Sequence, residues 1–412
     1  MRIPTRSKII GYGLTSLGKS GKKASDLIQE ALRSALLSTG AELTQLDGLI
    51  AVPSLAEPRF MEAHYIGTRI GLLPHKNVLV RTIDTGGAGP ISALLEADEM
   101  IRHEGCDLVA MVAGDAVSSL DTAEFLKRAD AGCASPDNDV PSPVIPNGYD
   151  KVAQWQMEKY GVTREQLAMV SVLMSYQASR HPMALTKQPT TLEAVLSSRT
   201  IAPCTNLLEC ARRADGAAAI LVASSRFVSR MGWDHKPAPV VVGGGEASGP
   251  LYPPKEISED MFSCEEAAQS AYSRAQLGVS DIDFFGLYDC YPICFIRAVE
   301  AVNLAPKGKG GEWVEAMYHK HCLNPDGSPK EAPLPDSRVP AESILPVNTH
   351  GGLLSFGAPW ETPAMYNIIE AVAQLNGTAG SRQVPNARRA LVYGNGGIFS
   401  ASAVAILGNG IY

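Results

Sequence analysis

The stretch Thr82–Ile101, TIDTGGAGPISALLEADEMI, decides how the rest of the chain reads. An apolar run (Val78, Leu79, Val80) precedes it, and Ile91, Leu94, Leu95, Asp98 and Ile101 recur behind it at helical spacing. The turn Gly86-Gly87-Ala88-Gly89 therefore joins a strand to a helix N-terminus. Glycines at such a turn let backbone N–H groups approach a ligand, and the helix dipole favours negative charge there. Many α/β enzymes mount a nucleophile on an elbow of this kind. This one offers only the hydroxyls of Thr85 and Ser92, and no cysteine. A tight turn that packs a helix onto a sheet is the plainer alternative.

Outward from the elbow, strand and helix patterns alternate. Ile9 to Leu14 reads as a first strand. Ser25 is placed as the N-cap of a helix whose apolar stripe runs Leu27, Ile28, Ala31, Leu32, Ala35 and Leu36 and closes at Gly40. Asp47 to Val52 is the next strand, and DLVAMVAGD, residues 107–115, follows the elbow helix. From about 116 to 200 the alternation breaks. SPDNDVPSPVIPNG, residues 135–148, reads as a loop between helical patterns, so this segment is expected to be an inserted, mostly helical cap. Ala217 to Ala223 then returns to the sheet.

The second half repeats the first. ASDLIQEALRSALLSTGAELTQLDGLIAV parallels SCEEAAQSAYSRAQLGVSDIDFFGLYDC. The elbow segment parallels VNTHGGLLSFGAPWETPAMYNIIEAVAQL, and DLVAMVAGDAVSS parallels RALVYGNGGIFSASAVAIL. The expected architecture is α/β with mixed, mainly parallel sheets. It comprises a first half over 1–235, carrying the insertion, and a second over 236–412. PAPVVVGGGEASGP lacks a GxGxxG that opens a helix, so it reads as a strand end and not as a cofactor loop.

Composition narrows the function classes. The chain has 412 residues and a formal net charge of −7 without a basic stretch, which argues against a nucleic-acid surface. Eight scattered cysteines form no CxxC pair, so neither a disulfide framework nor a zinc ribbon is indicated. No apolar run is long enough for a bilayer span, and the N-terminus lacks the apolar core of a signal peptide. A reducing cytoplasm is the expected compartment.

Three second-half turns are expected to converge on a cleft at the carboxyl ends of the strands. The first is Tyr288-Asp289-Cys290-Tyr291, where Cys290 precedes a helix and is a candidate thiolate or proton carrier. Cys294, further along that helix, reads as inert. In the second, Asn348 to Gly352, His350 before two glycines is placed to face the cleft as a general acid or base. The third is Tyr393 to Gly397. There Asn395 and the amides of Gly396 or Gly397 are candidate oxyanion donors, with a plain hairpin as the alternative. His319, His321 and Cys322 lack a fourth ligand nearby, so a solvated loop is preferred to a metal site. The small residues after Asp215 read as close strand packing, not as a catalytic acid.

These segments together resemble the thiolase superfamily, in particular sterol-carrier-protein-type thiolases and lipid-transfer-like homologues. GYGLTSLGKSGKKASDLIQEA, QWQMEKYGVTREQLA, LLECARRADGAAAILVAS, DIDFFGLYDCY and LPVNTHGGLLSFGAP carry the resemblance in collinear order over nearly the whole chain. It implies a five-layer αβαβα fold of two duplicated halves, a coenzyme A thioester as substrate, no bound cofactor or metal, and a homodimer. It also implies departures. The family's nucleophilic cysteine falls on Gly86, three residues before Gly89. Its Gly-His-Pro motif falls on Gly357-Ala358-Pro359, and its His-Asp-Cys-Phe motif on Tyr288, Asp289, Cys290 and Tyr291. Its C-terminal cysteine falls on Tyr393.

Homologues of this kind that lack the cysteine, resembling steroid side-chain aldolases, cleave β-hydroxyacyl-CoA. They commonly work with a small zinc-ribbon/OB-fold partner that binds acyl-CoA. The expected function is therefore an acyl-CoA enzyme that makes or breaks a C–C bond, with aldol or retro-aldol chemistry preferred. Tyr288, Cys290, His350 and Tyr393 are the candidate catalytic residues. Gly86, Asp289, Asn395 and Gly397 are candidates for binding substrate or its oxyanion. The alternatives are acyl transfer through Cys290, or a non-catalytic acyl-CoA- or lipid-binding subunit. Trp360 and Glu361 are expected to reshape the pocket.

Overall fold

The computed structural model describes residues 7–75, 77–133, 140–331 and 340–409. Its first half begins with β1 (Ser7–Leu14), α1 (Ala24–Thr39), β2 (Gly48–Ala51), α2 (Glu62–Arg69), β3 (Leu79–Thr82), α3 (Gly89–Arg102) and β4 (Leu108–Ala116). An insertion follows, with helices α4 (Thr122–Cys133), α5 (Val144–Tyr160), α6 (Arg164–Ala178) and α7 (Leu192–Leu196), and a small ribbon of β5 (Thr200–Ala202) and β6 (Thr205–Asn206). The chain then returns as β7 (Asp215–Ser224) and α8 (Ser225–Arg230). The second half contains β8 (Pro239–Ser248), α9 (Cys264–Ala275), β9 (Phe284–Gly286), α10 (Pro292–Ala301), α11 (Gly310–Cys322), α12 (Pro363–Leu375), β10 (Arg389–Gly396) and β11 (Ala401–Asn409).

The main sheet runs β3-β2-β4-β7-β1-β8-β11-β10-β9. β2 is parallel to β3 and β4, and β10 is parallel to β9; the remaining pairs are antiparallel. The duplication is visible in this order. In the first half the third, second, fourth, fifth and first strands lie side by side. In the second half β9, β10, β11 and β8 take the second, fourth, fifth and first places. The third place is reduced to one parallel bridge between Phe285 and Val347. Asn348 extends that bridge, since its Oδ1 accepts the Leu287 amide and its Nδ2 donates to the Leu287 carbonyl, both at 2.7 Å.

α3 and α12, the helices behind the two elbows, pack on each other and on strands of both halves. α1 covers the outer face of β1, β4 and β7, and α9 covers β8 and β11. The result is the αβαβα succession of layers, with β4 and β7 buried along their whole length. The halves meet at a short β1–β8 contact, registered at Lys8 and Val240. The glycine run in β8 is a packing device. A Cβ on Gly243 would lie 2.8 Å from the Ala275 nitrogen of α9, and one on Gly244 would overlap Leu95 of α3.

Several local expectations are corrected. α1 starts at Ala24 with Lys23 as cap, and Ser25 instead donates its amide and hydroxyl to Glu57, both at 2.9 Å. Residues 135–139 of the expected loop lie outside the described residues, but Val144 to Gly148 open α5. Pro146 is tolerated there because the first-turn amides of a helix have no carbonyl to bond. His319, His321 and Cys322 lie on α11, not in a loop. His321 is buried with its Nδ1 3.1 Å from the Ser343 carbonyl, and no metal-binding group occurs among the described residues. No described helix is long and apolar enough to cross a membrane.

Candidate active site

A cavity of about 1400 Å³ opens where the first-half elbow meets two of the second-half turns. Gly86, Gly87, Tyr288, Cys290 and Asn395 to Gly397 all lie in its wall. The insertion supplies further wall, including Phe125 of α4 and Tyr149 of α5. Arg199, Arg212 and Arg213 add positive charge.

The elbow itself has no room for a side chain. Gly86 has φ 59°, and a Cβ there would lie 2.9 Å from the Gly396 Cα and from the Gly397 nitrogen. A Cβ on Gly87 would fall inside the Tyr288 hydroxyl and 2.5 Å from the Asn395 carbonyl oxygen. The tyrosine hydroxyl thus fills the space next to the elbow. Burial raises the Tyr288 pKa well above the usual phenol range, and the nearby thiols Cys290 and Cys294 add to this. At neutral pH it is therefore a hydrogen-bond donor and not a base. Thr85 and Ser92, the elbow's two hydroxyls, lie 3.1 Å apart and bond to each other.

Asn395 is held from two sides. Tyr393, wholly buried in β10, donates to its Oδ1 at 3.3 Å, and Asn395 donates from Nδ2 to the Tyr149 hydroxyl at 2.8 Å. Tyr149 in turn donates to the Gly397 carbonyl at 2.5 Å and stacks on Tyr291 with ring centroids 4.7 Å apart. Tyr393 is outside the cavity wall, so its position is behind Asn395 and not against a substrate. The turn is also a hairpin, the plainer of the two readings, since β10 and β11 pair from Arg389–Gly408 to Gly396–Ala401. Cys290 is half-buried in the wall just before α10, and Cys294 is fully buried in the core.

Besides Tyr393, two more expected site residues are elsewhere. His350 is 2% exposed and does not reach the cavity. Its ring lies edge-on to Phe356 at 5.1 Å, and burial pushes its pKa down to about 4, so it is neutral at pH 7. Gly351 beside it lies against Ala178 at the end of α6. Nearby, Arg382 holds the buried Glu370 carboxylate at 3.1 Å and, against the effect of burial, brings its pKa down to about 2. Asp289 is likewise buried and out of the wall. It accepts from the Leu353 amide at 2.7 Å and so anchors the π-helical turn Gly352–Phe356. Burial pushes its carboxyl up to about 7 despite those amides.

The residue that sequence patterns understated is Glu361. It lines the cavity, and its Oε2 is buried with no hydrogen-bond partner. Burial first, then Asp84 and Asp115, push its carboxyl up to about 8. Trp360 before it has φ 47°, a conformation costly for a bulky side chain. The Trp360 ring rests edge-on against Phe125 at 5.9 Å, and the Arg213 guanidinium lies 4.5 Å above the Phe125 ring. In the sequence, Glu361 reads only as a residue expected, with Trp360, to reshape the pocket.

Comparison with known proteins agrees with this fold. Residues 255–328 and 333–409 match the family described as thiolase C-terminal domain-like. The chain is 29% identical to an acetyl-CoA acetyltransferase of Methanothermobacter thermautotrophicus, over 97% of this chain and 98% of that protein. It is 28% identical to sterol carrier protein 2 of Bos taurus, over 98% of this chain and 72% of that protein. Among solved structures, an Ltp2-ChsH2(DUF35) aldolase superposes with a TM-score of 0.78 at 22% identity, covering the whole of both chains. With this duplicated fold and a cavity at the first-half elbow, the chain is similar over almost its whole length to acyl-CoA enzymes of the thiolase superfamily and to sterol carrier protein 2.

Proposed function

We propose that the protein makes or breaks a carbon–carbon bond of an acyl-CoA by aldol chemistry, with retro-aldol cleavage of a β-hydroxyacyl-CoA as the sharper form. The observation that carries this is the elbow. Gly86 stands where the resemblance puts the thiolase nucleophile, and the Gly396–Gly397 backbone and the Tyr288 hydroxyl leave neither elbow glycine room for a side chain. Retro-aldol cleavage needs no acyl-enzyme. It needs donors for the thioester enolate and a base for the β-hydroxyl. The Tyr288 phenol and the Gly397 amide, both at the elbow, suit the donor role. Arg199, Arg212 and Arg213 of the wall suit the phosphates of coenzyme A.

A small acyl-CoA-binding partner of the DUF35 kind, named with the structural neighbour, is part of the proposal. So is a homodimer. β3 is an outer strand of the sheet, and Leu79 on it is exposed, as are Phe60 and Met61 beside α2. Sedimentation of the isolated chain tests the dimer; a monomer at micromolar concentration refutes it.

The reaction is tested by incubating the protein, alone and with such a partner, with β-hydroxyacyl-CoA substrates. The carbonyl product and the shortened acyl-CoA are followed by mass spectrometry. Intact-protein mass after incubation with acyl-CoA decides the alternative. An adduct on Cys290, which lies in the cavity wall, would replace the aldol proposal with acyl transfer by a relocated nucleophile. Tight acyl-CoA binding with neither cleavage nor adduct would leave a binding subunit.

A further inference from the structure

The aldol proposal has donors at the elbow but lacks a base, because His350 and Tyr393 lie outside the cavity and buried Tyr288 is a phenol. The carboxylates that reach the cavity are unequal. Asp84 is exposed, and Asp130 is occupied by the Val144 amide at 2.9 Å and by the Ser142 hydroxyl at 2.5 Å. Glu361 alone combines a place in the wall with a buried carboxyl oxygen that no described group bonds. Its setting is built. The preceding Trp360 has a left-handed backbone, and its ring rests edge-on against Phe125, over which the Arg213 guanidinium lies. The groups that face the carboxyl electrostatically are Asp84, Asp115, Tyr288, Cys133 and the Trp360 indole, none of them a cation.

We propose that Glu361 is the proton carrier of the reaction, a catalytic residue that works opposite the Tyr288 hydroxyl. The assignment rests on the aldol proposal. In the cleavage direction the carboxylate takes the proton of the substrate's β-hydroxyl. The oxygen electron pair forms the new carbonyl at Cβ, the Cα–Cβ bond breaks, and its electrons pass to the thioester as an enolate. Tyr288 and the Gly397 amide donate to the enolate oxygen. The Glu361 acid then returns its proton to Cα, which leaves the shortened acyl-CoA and the original carboxylate. No other reactant is consumed. In the reverse direction the same carboxylate removes an α-proton from the acyl-CoA.

That last step gives a test that does not depend on knowing the carbonyl partner. The wild-type protein, with its partner subunit if cleavage requires one, is incubated with a saturated acyl-CoA in D₂O. Deuterium entering the α-carbon is followed by mass spectrometry. Exchange by the wild type is expected, with a loss of about 10²-fold or more in E361Q and a smaller loss in E361D. Acyl-CoA binding and the thermal midpoint of both variants are measured alongside, so that a misfolded variant is recognised and E361D then decides. In the cleavage assay the wild-type rate is expected to rise with pH through the ionisation of one group, and E361Q is expected to lack that rise. Exchange in E361Q at the wild-type rate overturns the assignment, as does absence of exchange in the wild type. Exchange that depends on Glu361 without cleavage of any β-hydroxyacyl-CoA would sustain the role of Glu361 and overturn the aldol proposal.

Discussion

At the scale of single residues, the site is set by what stands beside the two elbow glycines. A cysteine restored at Gly86 would meet the Gly396–Gly397 backbone and a positive φ. Gly86→Cys is therefore expected to give no acyl adduct by intact mass and to lower the thermal midpoint. A stable adduct on that cysteine would show that the turn does accommodate a nucleophile. Tyr288→Phe removes a donor without changing packing volume. It is expected to lower kcat about 10²-fold, in the range of losing one oxyanion donor, with a smaller change in KM. An unchanged kcat would remove Tyr288 from the chemistry. His350 was a reasonable candidate, because a polar residue beside two glycines usually faces solvent. It is buried because Gly351 lets the turn close onto α6 and Phe356 covers the ring.

At the scale of elements, the second elbow differs from the first. The first turn leads directly into α3, whereas the second passes through the π-helical turn Gly352–Phe356 before α12 begins at Pro363. Asp289 holds that turn by the Leu353 amide, and Leu353 and Leu354 lie in the cavity wall. Asp289→Ala strands a buried amide, so a loss of about 1–3 kcal/mol in denaturant stability is expected, together with a raised KM. A variant as stable as wild type would show that the turn holds without its anchor. In β8, a side chain at Gly245 would run into the Ala267 carbonyl of α9. Gly245→Val is expected to cost roughly 1–3 kcal/mol as overpacking, read from the shift in the denaturant midpoint at constant m.

At the scale of the whole molecule, half-buried His181 and buried His350 and His321 couple stability to pH. Burial pushes His181 down to about 3 and His321 and His350 to about 4, against about 6.5 in the unfolded chain. Above pH 6.5 both states hold these rings neutral, and their contribution is fully present. As pH falls towards 4, the unfolded chain takes up protons that the fold refuses, so stability falls. The expected loss is roughly 1–3 kcal/mol per histidine over that window. His350→Asn is expected to flatten part of this slope in denaturant titrations between pH 7 and pH 4. An unchanged slope would mean that the ring is accessible to protons in the fold.

Most of the architecture was legible in the amino-acid order because it depends on local period. The elbow helix, the strand–helix alternation, the insertion and the duplicated half each leave a pattern in neighbouring residues, and the pairing order of the sheet repeats that duplication. Tyr288, Cys290, Asn395 and Gly397 lie in one cavity wall, and each ends or follows a sheet strand. Tertiary structure alone decided the rest. Whether a side chain at a turn faces a cleft or the core depends on what packs over it, and that partner is distant in sequence. α6 meets Gly351 beside His350, α5 brings Tyr149 to Asn395, and Phe125, with Arg213 over it, meets the Trp360 ring beside Glu361. A carboxylate becomes a candidate base only when folding buries one oxygen without a partner, and no pattern of neighbouring residues records that.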